Sequence, residues 1–121
     1  MIREISMSIT TTGSAGSATG ETTSAEGFNG LLMAVYIPTG APATTDWTFS
    51  DPASGITLFT LTNINTAGWY VPIIPGVTIA AGVAITGVGG LIPLTGTMKI
   101  ALAQSDAGTY IVRLRIERMK G

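Results

Sequence analysis

Along most of this chain apolar and polar side chains alternate with a period of two, the spacing that sends successive residues to opposite faces of a β-strand. In a first strand Ile5, Met7, Ile9 and Thr11 share one face, and Glu4, Ser6, Ser8 and Thr10 the other. Trp47 and Phe49 alternate with Asp46, Thr48 and Ser50. Near the C-terminus Met98, Ile100 and Leu102 alternate with Lys99, Ala101 and Ala103, and Tyr110, Val112, Leu114 and Ile116 with Ile111, Arg113, Arg115 and Glu117. Ser105-Asp106-Ala107-Gly108 between them reads as a hairpin turn. Two runs, LLMAVYI between Gly30 and Pro38 and ITLFTLT after Gly55, are nearly all apolar, as strands covered on both faces are. Asp51-Pro52-Ala53-Ser54-Gly55 has the composition of a turn. No window carries helical periodicity. The pattern predicts an all-β chain: a single antiparallel β-sandwich over residues 1–121, jelly-roll-like, with little or no helix.

Two segments are less direct. Residues 10–27 hold Thr, Ser, Gly and Ala with Glu21 and Glu26, and before Phe28 no large apolar side chain. Such composition suits a flexible linker, but the threonines favour an exposed hairpin, with Gly13 to Gly16 as the turn and Thr19 to Ala25 as a thin edge strand. Trp69 to Leu94 carries no charge over roughly the length a bilayer requires. Pro72, Pro75 and five glycines punctuate it, however, and Val77-x-Ile79 and Val83-x-Ile85 alternate as strands do. The expectation is therefore no membrane span. The N-terminal residues lack the apolar run of a signal peptide.

Charge changes the picture more than hydrophobicity does. Charged residues are 11% of the chain, against about 25% in ordinary soluble domains. Between Gly27 and Met98 only Asp46 and Asp51 are charged. A surface built mostly of Thr, Ser, Gly and Ala is expected to be covered by identical subunits and by a larger partner. Net charge −1 gives nucleic acid and anionic membranes no electrostatic handle.

Candidate chemistry is sparse. Without cysteine or histidine the chain has no thiolate nucleophile, disulfide, imidazole base or imidazole metal ligand. No carboxylate spacing suggests a pair across a cleft, and Gly87-Val88-Gly89-Gly90 lacks the spacing of a dinucleotide loop. An enzyme is not expected, nor any cofactor or metal. Asp46 and Asp51 would be at most half a calcium site, and Asp51 before Pro52 reads more simply as a turn residue. Arg113, Arg115, Arg118 and Lys120 form a small basic stripe. The functional reading of such a stripe is contact with phosphate or with an acidic protein surface. With Glu117 diluting it and no aromatic residue interleaved along the strand, it reads instead as a solvated face that blunts an edge strand. Most of the eight aromatic residues should be core; Trp69 and Tyr70, at a strand start, read first as core and second as interface anchors.

Several segments taken together resemble a group of small all-β structural proteins of tailed bacteriophages. The matching positions are Gly30, Leu32, Ala34, Val35 and Tyr36; Asp51, Gly55, Leu58, Thr62 and Asn63; Trp69, Tyr70 and Pro72; and Pro93, Leu94, Gly96, Met98, Lys99 and Ile100. Ile73 departs from the pattern, where the group often has Arg. The resemblance implies a virion component, most like a capsid decoration (cement) protein that binds the outer shell and bridges neighbouring major capsid protein subunits. It implies self-association as well, as a trimer, with a tail, baseplate or fibre-associated module as the alternative. The expected contact residues are Val77, Ile79, Val83, Ile85 and Val88 of the uncharged tract, with Trp69 and Tyr70.

Overall fold

A computed structural model describes residues 2–72 and 92–118 in full, and between them the backbone of four two-residue strands, 74–75, 78–79, 83–84 and 89–90. Among the described residues every regular element is a strand: β1 (Ile2–Thr11), β2 (Ala18–Thr23), β3 (Phe28–Ile37), β4 (Asp46–Asp51), β5 (Ile56–Leu61) and β6 (Gly68–Tyr70) come first. The short pieces β7 (Ile74–Pro75), β8 (Thr78–Ile79), β9 (Val83–Ala84) and β10 (Gly89–Gly90) follow, then β11 (Ile92–Gly96), β12 (Lys99–Ser105) and β13 (Gly108–Arg118).

Two antiparallel sheets pack into a β-sandwich. One runs β1-β13-β3-β11, with β6 also on β3; the other runs β2-β12-β4-β5. Strands β6 and β11 lie end to end along the same side of β3, Gly68–Tyr70 opposite Ile37 to Val35 and Ile92–Gly96 opposite Leu32 to Phe28. They are two halves of one interrupted strand. Counted so, each strand of the first sheet is joined in sequence to the strand at the same position of the second: β1 to β2, β12 to β13, β3 to β4, β5 to β6. That is the strand order of a jelly roll. Within the interruption β7 pairs with β10 and β8 with β9, so the inserted segment doubles back on itself as an arm.

The alternation read from sequence places the core. Met7, Ile9, Trp47, Phe49, Met98, Ile100, Leu102, Tyr110, Val112, Leu114 and Ile116 are all buried, each on the inward face of its strand. The Trp47 ring meets Tyr110 edge-on from the opposite sheet, centroids 6.0 Å apart, and its Nε1–H donates to the Ile64 carbonyl at 2.9 Å. Buried aromatic rings of this kind need a partner for their polar atom, and here the backbone supplies it.

Four expectations are corrected. The Ser105–Gly108 turn is not a hairpin: β12 and β13 belong to different sheets, and the turn arches over the end of the core. Two inward-facing apolar rows can meet across a core as well as lie side by side, and alternation does not distinguish these. The arch is tied down by Asp106, whose carbonyl accepts from Thr11 Oγ1 at 2.6 Å and from the Tyr110 hydroxyl at 3.1 Å. The Thr-rich turn likewise pairs only at Thr12 and Thr19, after which β1 and β2 diverge into separate sheets; β2 is an edge strand, as its composition suggested. The run ITLFTLT is an edge as well, with Ile56, Thr57 and Thr60 exposed rather than covered. Finally, β13 lies between β1 and β3, so its arginines do not blunt a sheet edge.

Candidate functional site

The two outer faces of the sandwich differ in kind. Across the second sheet one row reads Glu21, Ala101, Thr48 and Thr60, small and polar, with Lys99 Nζ 2.9 Å from the Glu21 carboxylate. Across the first sheet the corresponding row reads Ser6, Arg113, Tyr36 and Trp69. The candidate site is this arginine–aromatic face.

Its geometry follows from register. Tyr36 and Trp69 are cross-strand partners, and their rings meet edge-to-face with centroids 5.4 Å apart at 62°. The Arg113 guanidinium lies over Tyr36, 5.7 Å from the centroid. Arg115, one step along β13, lies over the Trp69 ring at 3.9 Å. Because β3 runs between β13 and β6, the Arg115 side chain must cross it, and it does so opposite Ala34, whose methyl group leaves the room. A bulky residue at Ala34 would block that path. A bulge between Arg115 and Ile116 shifts β3 by one residue, so Leu31, Met33 and Tyr36 are only half-buried on this face while Leu32, Val35 and Ile37 enter the core.

Exposed apolar surface rims the arginines: Trp69 at 37%, Val71 at 57% and Ile111 at 50%. Among the described residues the ion pairs are Arg3 with Glu26 and Lys99 with Glu21, so neither Arg113 nor Arg115 is spent on a carboxylate. Glu4 is the direct cross-strand neighbour of Arg115, yet the guanidinium lies instead on the indole on the far side of β3.

The expected anchors therefore separate. Trp69 stands on the outer face; Tyr70, the next residue, turns inward against the core and donates its hydroxyl to the Thr66 carbonyl at 2.7 Å. Tyr36, expected in the core, joins the outer face. Of the other expected contacts, Ile79 and Val83 are described by backbone alone, as partners at the end of the arm; Val77, Ile85 and Val88 lie outside the described residues. The sequence reading missed Tyr36 and Ala34 as members of a surface site. The available signal was the arginine pair at i, i+2, but which strand lies beside it is not readable from spacing.

Asp46 and Asp51 stand at opposite ends of β4, and each is engaged locally. Asp46 accepts from the Asn63 backbone N–H at 3.0 Å; Asp51 accepts from the Ala53 N–H at 3.1 Å and from Ser54 Oγ at 2.9 Å, closing the turn. Among the described residues no three carboxylates converge. One recess of about 110 Å³, lined by Asp51, Leu58, Pro93, Leu94, Thr95 and Thr97, holds a single carboxylate already engaged in that turn. No family model, curated protein or solved structure matches the chain.

Proposed function

We propose that the chain is a structural protein of a tailed-bacteriophage virion, a decoration protein that binds the outer capsid shell and bridges neighbouring major capsid protein subunits. The observation that carries this reading is the combination of an exposed apolar and arginine-bearing sheet face with an uncharged arm inserted at the edge of the same sheet. Trp69 and Val71 stand at the foot of the arm, so the two surfaces are continuous along the chain. Jelly rolls recur in viral capsids and in lectins alike, so the fold leaves the choice to the surface.

The mechanism is mechanical. Copies gathered as a trimer present several equal weak contacts at once, and avidity supplies a hold that one small domain lacks. Such contacts resist shear between neighbouring shell subunits when packaged DNA presses outward. The test is the number of copies per purified virion, by quantitative mass spectrometry against the major capsid protein. Hundreds of copies support the shell reading; a few dozen or fewer move the protein to the tail or a vertex; none removes it from the virion. Ile79→Asp with Ile85→Asp is expected to abolish shell binding, and unaltered binding would acquit the arm.

A further inference from the structure

We propose that the arginine–aromatic face is a receptor for an extended acidic segment of another protein, with two carboxylates at i and i+2 seated on Arg115 and Arg113. The inference names the partner chemistry of the surface assigned above and rests on that reading.

Stacking uses the flat face of a guanidinium and leaves its N–H donors, which lie in the plane, pointing outward. Arg115 is held in that state by the Trp69 ring at 3.9 Å, while Arg113 makes a looser cation–π contact, 5.7 Å from the Tyr36 centroid. A fork of donors fixed in this way matches the two oxygens of a carboxylate. The two arginines sit at i and i+2 on one strand face, so their Cα atoms are about 6.6 Å apart, the distance at which an extended peptide repeats its own same-face side chains. The rings their guanidinium groups lie over have centroids 5.4 Å apart. Exposed Val71 and Ile111 flank the pair and supply apolar contact for what lies beside the carboxylates.

The same geometry argues against nucleic acid. Arg115 already occupies a face of the indole on which a base would stack. A second copy of the chain is a poor occupant too. Its carboxylates are residues 4, 21, 26, 46, 51, 106 and 117, and none stands two positions from another. The acidic segment therefore belongs to a different protein.

The experiment uses the full chain and the peptide acetyl-TETET-amide, with acetyl-TQTQT-amide and a twelve-base oligothymidylate as comparators. Binding is read from the NMR shifts of the Trp69 indole N–H and the Arg115 side-chain N–H, at about 20 mM salt. The expected result is saturable binding of the acidic peptide at roughly millimolar concentration, at least about tenfold tighter than the amide peptide. The Trp47 indole N–H, buried and bonded to Ile64, should not move. Arg115→Lys keeps the charge but loses the fork and is expected to weaken binding about tenfold, as Arg115→Gln does more strongly. Equal binding of the two peptides, tighter binding of the oligonucleotide, or no shift with any probe would overturn the proposal. Hundreds of copies per virion without peptide binding retires this inference and leaves the shell reading; peptide binding by a protein absent from virions does the reverse.

Discussion

Replacing Gly20 by alanine tests whether the two sheets are held together along their shared edge by a close backbone approach. Gly20 lies on β2 where that strand leaves β1, and a Cβ there would stand 2.2 Å from the Thr10 carbonyl oxygen and 2.9 Å from the Thr11 Cα. A carbon–oxygen contact is comfortable only about 1 Å further out, so β2 must recede. The atoms it meets are backbone, which no rotamer change can move aside. Recession strains the Thr12–Thr19 pair, whose two hydrogen bonds of 2.9 and 3.0 Å join the sheets at this corner. Overpacking of this kind costs about 1–3 kcal/mol, partly offset by roughly 0.4–1 kcal/mol from the stiffer unfolded chain. The net expectation is a loss of about 1–2 kcal/mol. With an unfolding entropy of about 0.25 kcal/mol/K for 121 residues, Tm should fall by roughly 4–8 °C. Differential scanning calorimetry measures this directly, and amide exchange at Thr12 and Thr19 should quicken. Gly27→Ala is the control: its nearest neighbour would be 3.4 Å away, an ordinary contact, so Tm should hold or rise. A Gly20→Ala protein as stable as the parent would refute the argument, because the corner would then be loose enough to give at no cost.

Other perturbations have equally defined outcomes. Trp47→Phe removes the donor to the Ile64 carbonyl and leaves a void in a fully buried position, so a loss of about 2–4 kcal/mol is expected in chemical denaturation. Thr45 Oγ1 is buried without a hydrogen-bond partner, so the isosteric Thr45→Val should be neutral or raise stability by up to about 1 kcal/mol in the same assay. Replacing residues 71–91 by a Gly-Thr dipeptide joins Tyr70 to Ile92 along β3, its two residues opposite Ala34 and Met33; cooperative unfolding and β-rich circular dichroism should survive, while shell binding should be lost.

What the chain's pattern revealed, and what it hid, divides along one line. Faces were legible: Ile9, Trp47, Ile100 and Leu114 turn inward as their alternation requires, because burial of one face is a property of each strand alone. Pairing was not. The turn at Ser105–Gly108 joins strands of different sheets, and nothing in two alternating rows separates an arch from a hairpin. The bulge opposite Arg115 and Ile116 lets an unbroken apolar run serve two faces, so LLMAVYI looked covered on both sides although Tyr36 and Met33 reach the surface. The candidate site suffered most. Its members, at 34, 36, 69, 113 and 115, come from three strands, and only the register among those strands brings a ring under each guanidinium.

The break between β6 and β11 has a consequence for how such a protein can change. The inserted segment leaves and rejoins a single line of the ladder, so the strand order does not depend on its length: both stumps are paired with β3. A lengthened, shortened or exchanged arm would alter what the surface meets without changing which strands pair. In that sense the scaffold separates two kinds of selection. One acts on the jelly roll and tolerates little; the other acts on a graft whose ends are already held in place, where new binding specificities can be tried cheaply.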